Sequence, residues 1–152
     1  TQQAEHHGRI LHQTEHCSSK QHYKGILDDH SQGVFNGKVI VKPQAAHTRA
    51  EQSNHNILLS DHAQLNTKTE LELYHDDVSC SHGATVGQLD EQALFYCQSR
   101  GISLSDAKHL LVCGFANDIL SQFEHDALAK HITQTVVKRL SSTGCQGECR
   151  HD

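Results

Sequence analysis

The sequence predicts a mainly β region followed by a small α-helical subdomain, and the change falls near Gly87. Before Gly87, short segments are rich in apolar and β-branched residues, which favours strands. After it, apolar residues recur every four positions, the spacing of one helix face. The sequence has 152 residues, of which 36% are hydrophobic, enough for one ordinary domain or two small ones. We assign residues 1–87 to a β core, 88–140 to helices and 141–152 to a flexible tail.

In the β region, residues 34–41 place apolar side chains around Asn36-Gly37, a pair that favours a tight turn between two strands. Residues 56–60 and 70–74 are further predicted strands. Residues 70–74 alternate strictly between polar and apolar side chains, which is typical of a strand with one buried face. This pattern suits a sandwich, a barrel or a β-solenoid, and composition does not distinguish among them.

The first predicted helix carries Leu89, Ala93 and Cys97 at a spacing of four and ends near Gly101. Cys97 lies on the apolar side of this pattern, which predicts a core residue.

The second predicted helix begins with a capping motif, in which Ser103 precedes Asp106 by three residues. Leu111, Phe115 and Ile119 then form an apolar stripe at a spacing of four. Neighbouring apolar residues widen this stripe, which suits either a partner surface or the central helix of a small bundle. The third helix carries four apolar residues at the same spacing: Leu128, Ile132, Val136 and Leu140.

The charge pattern excludes several classes of function. The net charge is −5 and no basic tract is present, so nucleic acid and anionic membranes are unsuitable partners. The longest strongly apolar stretch, residues 110–116, is too short to span a bilayer, and the N-terminus lacks signal-peptide features. A soluble, cytoplasmic protein is expected. The absence of methionine indicates a segment of a longer protein.

The best candidate site is the pair Cys80 and His82. On a strand, residues two apart face the same side, with Cα atoms roughly 6.6 Å apart. Thiolate and imidazole are ligands for iron, zinc and copper, so the pair could bind one metal or cluster. The alternative is a small buried cysteine beside a hydrogen-bonded surface histidine. The neighbouring Asp76 and Asp77 are expected to form a solvated turn.

No other motif carries a specific chemistry. Cys145 and Cys149 resemble a metal clip near the C-terminus, but their spacing is not that of common zinc sites, and their role stays open. Sequence motifs for nucleoside triphosphate hydrolysis, hydride transfer and acyl transfer are missing, so the chain is not expected to be an enzyme.

One stretch carries a specific resemblance. Residues 80–91 read Cys-Ser-His-Gly-Ala-Thr-Val-Gly-Gln-Leu-Asp-Glu. Together with residues 33–39, 52–54 and 72–77, this stretch is similar to the C-terminal part of SufD, a family in the SUF iron–sulfur cluster assembly machinery. The resemblance spans about residues 16–125, and its motifs are long.

The resemblance implies a right-handed parallel β-helix, here its C-terminal turns, followed by the helical subdomain. It implies a noncatalytic scaffold subunit that pairs with SufB through the β-helices and docks the ATPase SufC through its helices, with Leu111, Phe115 and Ile119 as the docking stripe. His82 corresponds to a histidine at the SufB interface where a nascent iron–sulfur cluster forms, and Cys80 lies beside it. The cluster would be shared with SufB transiently, and no cofactor would be bound stably.

Two other functions remain open. A cupin-like metal-binding enzyme would use the Cys80 and His82 strand together with a second strand that offers histidine or glutamate. A β-solenoid interaction module would have no metal role at all. If the chain is a β-helix, with or without a metal role, its exposed end makes self-association of the fragment plausible.

Overall fold

The fold was obtained as a computed structural model, which describes residues 2–123 and 126–142. Six strands precede three helices, as predicted for a mainly β region followed by a small helical part. The elements are β1 Gln3–His12, β2 Ser18–Leu27, β3 Gln32–Val41, β4 Thr48–Leu58, β5 Gln64–Leu73, β6 Val78–Gly87, α1 Glu91–Ser99, α2 Leu104–Leu120 and α3 Asp126–Ser142. The chain divides into two compact units, Thr1–Gly87 and Gln88–Asp152.

The strands of the first unit alternate between two parallel sheets. One sheet has the order β1-β3-β5 and the other has the order β2-β4-β6. Each strand leads through a short connection into the other sheet, and the next connection returns to the first sheet beside the earlier strand. The predicted mainly β class with a small helical part is confirmed. The two sheets are parallel and do not close, so the β-helix stays a prediction.

The space between the sheets contains both apolar and polar side chains. Val39, Val41, Ala45 and Ala50 form a buried cluster. Alternate residues of a strand face the same side. Farther along β4, the residues that face inward carry amide side chains. Buried amides need hydrogen-bond partners. Asn54 provides one example, since its Nδ2 donates to Thr67 Oγ1 of the opposite sheet at 3.2 Å.

The turn predicted at Asn36-Gly37 is wrong, because both residues lie inside the continuous strand β3. Gly37 is required there by a close approach rather than by a turn. A Cβ at Gly37 would lie 2.5 Å from Gln52 Nε2 and 2.9 Å from Phe35 Cε1. The glycine therefore makes room for the buried Gln52 amide. The other two predicted strands correspond to the ends of β4 and β5, although both strands begin several residues earlier.

Replacing Gly37 with alanine is expected to lower the free energy of unfolding by about 1–3 kcal/mol, because the added methyl group would overpack the interior. Gly83→Ala is a matched control, since a Cβ at Gly83 meets nothing within 4 Å. Urea unfolding of both variants checks this prediction. Equal stability of the two variants would contradict the close packing at Gly37.

The first helix ends before Gly101 and the second begins after Ser103, as predicted, whereas Leu89 of the predicted first helix lies two residues before α1. Asp90 Oδ1 accepts a hydrogen bond from Gln92 N at 2.9 Å at the start of α1. After α1 the chain turns at Gly101, whose φ of 86° favours glycine. Ser103 Oγ accepts a hydrogen bond from Asp106 N at 3.1 Å, which confirms the predicted cap of α2.

The buried face of the helical unit differs in part from the predicted stripe. Cys97 of α1 is buried, as predicted for a core residue. In α2, Leu111, Phe115 and Ile119 are half-buried, and Leu110 is 54% exposed. The fully buried side chains of α2 are Ala107, His109, Val112, Ala116 and Leu120. The stripe therefore lies beside the core face rather than on it.

The third helix continues through Ser142, two residues beyond the predicted end of the helical region. The rest of the predicted tail, including Cys145 and Cys149, lies outside the described residues. Within the part of the chain that the structure describes, no helix is both long and apolar enough to cross a membrane.

Candidate functional site

The candidate site lies on β6, the outer strand of the sheet β2-β4-β6. Cys80 pairs in register with Ala50 of β4, and His82 pairs with Gln52. Ala50 and Gln52 are both buried between the sheets. In-register neighbours in a parallel sheet face the same side, so Cys80 and His82 also lie on the inward face. The strand thus brings together the two residues that the sequence singled out.

The two side chains differ in burial. Cys80 is half-buried and packs against the cluster of Val39, Val41, Ala45 and Ala50. His82 is exposed although its strand position faces inward. The reason is that β6 pairs on one side only, with β4, among the described strands. The side chain of His82 is therefore accessible at the open end of the two sheets.

The electrostatics of the pair favours His82 as the accessible ligand. Burial raises the pKa of the Cys80 thiol, and a hydrogen bond with the backbone of Ala50 opposes this shift only in part. The thiol is therefore protonated near neutral pH, whereas a metal binds the thiolate. A metal that bound Cys80 would have to displace this proton. An imidazole binds through a neutral ring nitrogen without that step.

Cys80 and His82 supply only part of a ligand set. Across residues 2–123 and 126–142, no group of three or more histidine, cysteine, aspartate or glutamate side chains is arranged to hold a metal ion. Among the described residues, the candidate site therefore consists of these two side chains.

Sequence reasoning missed a row of inward side chains that leads to His82. Gln21, Gln52 and His82 occupy matching register positions on β2, β4 and β6. Gln52 Nε2 donates to Gln21 Oε1 at 2.8 Å. The alternation of β4 could have indicated that Gln52 faces inward, but nothing in the local pattern connects it to His82, which lies in the next strand of the sheet.

Asp76 and Asp77 lie in the connection between β5 and β6, as expected for a turn. Asp77 Oδ2 lies 3.0 Å from His47 Nδ1, and both side chains are largely exposed. His47 also stacks on His16, with ring centroids 4.6 Å apart. No local signal in the sequence indicates this stacking, because the two rings belong to separate connections on the same side of the sheets.

The chain matches the family model "SUF system FeS cluster assembly, SufBD core domain" over residues 1–115. It is 43% identical to an iron–sulfur cluster assembly SufBD family protein of Synechocystis over 130 residues, which are 86% of this chain and 29% of that protein. It is 38% identical to iron–sulfur cluster assembly protein SufD of Escherichia coli over 124 residues, 82% of this chain and 29% of that protein.

A third relative is the chloroplastic protein ABCI7 of Arabidopsis thaliana, 38% identical over 118 residues, which are 77% of this chain and 25% of that protein. The chain thus spans between a quarter and a third of the length of these relatives. The family match covers β1 to β6, α1 and most of α2, and it includes Cys80 and His82. The chain therefore belongs to the SufBD core domain family of the SUF iron–sulfur cluster assembly system.

Proposed function

We propose that the chain is part of a noncatalytic scaffold subunit for iron–sulfur cluster assembly in the cytoplasm. In this proposal the complete protein pairs with SufB and docks the ATPase SufC, and His82 contributes to the site where the nascent cluster forms. The observation that carries the proposal is the exposure of His82 on the inward face of β6. The cluster is cargo that the scaffold shares with SufB transiently, and no cofactor is bound stably.

The sheet topology supports a role in pairing. Two in-register parallel sheets whose strands alternate along the chain are suited to form successive turns of a right-handed parallel β-helix in the longer protein. The outer edge of β6 presents backbone groups that a strand of another chain could bind. We place SufB at this edge, beside His82. Self-association of the isolated chain would use the same kind of edge.

The chemistry follows from the two side chains of the site. His82 offers an accessible ring nitrogen to iron, because its side chain is exposed. Cys80 retains its proton until a metal competes for the sulfur, because burial raises the pKa of the thiol. ATP binding in SufC would pull the helical subdomains together and open the seam at which SufB cysteines and His82 meet iron and sulfide.

The alternatives fit less well. A cupin-like enzyme is a jelly roll of antiparallel strands, whereas every strand pair of the two described sheets is parallel. An interaction solenoid without a metal role shares the fold and differs only in the role of His82. Replacing His82 with alanine separates these two functions.

We expect SufC to dock on the stripe of Leu111, Phe115 and Ile119. In the complete protein, Leu111→Ala should therefore lower SufC retention during co-purification about tenfold. The reason is that removing a central apolar anchor of an interface costs more than about 1 kcal/mol. Leu110→Ala is the matched control, since Leu110 is the adjacent leucine on another face of α2 and is 54% exposed. Equal SufC retention by the two variants would contradict docking on the stripe. Circular dichroism should show that both variants keep their helices.

A further inference from the structure

We propose that Gln52 is a positioning residue for His82. The side-chain carbonyl of Gln52 accepts a hydrogen bond from one ring nitrogen of His82 and so directs the other ring nitrogen toward incoming iron. This inference rests on the proposed function, because the proposed function gives the hydrogen bond its purpose. The bond is not formed in the structure, in which Gln52 and His82 are register neighbours, and its formation is tested without any partner.

The first observation is an incomplete set of hydrogen bonds on a fully buried amide. Gln52 is only 1% exposed. Its Nε2 donates to Gln21 Oε1 at 2.8 Å. Its Oε1 is buried and has no hydrogen-bond partner among the residues that the structure describes. A buried carbonyl without a donor is unfavourable, and nearly all such groups in folded proteins find one.

The second observation is the direction in which this carbonyl is available. Gln52 lies in β4 between Gln21 of β2 and His82 of β6, at matching register positions. The amide N–H is used on the β2 side. Because the N–H is donated on the β2 side, we infer that the C=O faces the other neighbour of β4, which is β6. The side chain at that position of β6 is His82, and an imidazole is a suitable donor.

The third observation is that the Gln52 amide has little freedom to move. Gly37 of the opposite sheet approaches it so closely that a Cβ there would lie 2.5 Å from Nε2 and 3.0 Å from Cδ. The hydrogen bond to Gln21 holds the amide from the other side. A fixed acceptor can orient the exposed ring of His82.

The proposed hydrogen bond has a chemical purpose. Histidines that bind metals usually donate their second ring N–H to an acceptor, which fixes the tautomer and the ring orientation. With one N–H donated to Gln52 Oε1, the other nitrogen of a neutral His82 ring carries a lone pair. Loss of such an outer partner commonly lowers metal affinity or activity about 10- to 100-fold.

The test compares Gln52→Met with Gln64→Met in protein labelled with ¹⁵N at histidine. Methionine keeps an unbranched side chain of similar size and removes the acceptor, and Gln64 is an exposed glutamine at the start of β5 in the other sheet. In the wild type and in Gln64→Met, the His82 nitrogen resonances should report one dominant tautomer, whereas in Gln52→Met they should report a mixture. Subtraction of the His82→Ala spectrum identifies the resonance. The same His82 tautomer ratio in wild type and Gln52→Met would overturn the proposal.

A second measurement remains valid if Gln52→Met does not fold. His82→Ala changes an exposed residue, and it should shift the side-chain carbonyl ¹³C resonance of Gln52 by removing its donor. An unchanged Gln52 resonance would overturn the positioning role. If His82→Ala loses cluster assembly but Gln52→Met leaves the His82 tautomer unchanged, the proposed function stands and the positioning role is rejected. If Gln52→Met changes the tautomer but His82→Ala assembles clusters normally, the positioning role stands and the proposed function of His82 is rejected.

Discussion

Replacement of His82 with alanine in the complete protein is expected to lower cluster formation by the assembled scaffold at least about 10- to 100-fold, the range seen when even an outer partner of a metal ligand is removed. Stability should change little, because the side chain of His82 is exposed and substitutions at such positions usually cost less than about 0.5 kcal/mol. The measurement is iron and sulfide incorporation with SufB, SufC and ATP present.

His7→Ala is the control for that experiment, because His7 is another largely exposed histidine on a strand of the same unit. It lies on β1, the outer strand of the other sheet, and pairs with Asn36. Normal cluster formation in His7→Ala with a large loss in His82→Ala would support the site. Equal activity of His82→Ala and wild type would leave an interaction module without a metal role as the better account.

Val41→Ala is expected to destabilise the β unit by about 2 kcal/mol, since it removes two buried carbon atoms and leaves a cavity. Val41 is 0% exposed, in the cluster against which Cys80 packs. Val86→Ala is the matched control, because Val86 is 41% exposed on β6, and it should change stability by less than about 0.5 kcal/mol. Urea unfolding followed by circular dichroism measures both values.

A similar loss in both valine variants would show that β6 is covered by other residues and that the open end is not accessible. That outcome would remove the physical basis for an exposed His82. A small loss in Val41→Ala would instead mean that the core cluster is not packed as described.

The helices could be predicted closely from the sequence because their signals are local. Ser103 and Asp106 form the cap of α2 through residues three apart, and Gly101 provides the left-handed turn after α1. Apolar periodicity located the helices, but it did not identify which apolar face is buried. Which face is buried depends on the neighbouring helix. The apolar spacing therefore places Leu111 in the stripe, but it does not predict that its side chain is half-buried.

The β unit was predicted less well because parallel pairing joins residues about thirty positions apart. The Asn36-Gly37 pair has the local chemistry of a turn, but its pairing with β1 and β5 places it inside a continuous strand. The same reason hid the row of Gln21, Gln52 and His82. Cys80 and His82 could be found because two residues of one strand are separated by a single position.

Co-purification of the complete protein with SufB and SufC tests the central claim most directly. We expect a single species in size-exclusion chromatography that contains all three proteins, and we expect Leu111→Ala to lower the retention of SufC alone. Elution of the complete protein apart from both SufB and SufC, with its circular dichroism intact, would contradict the scaffold function.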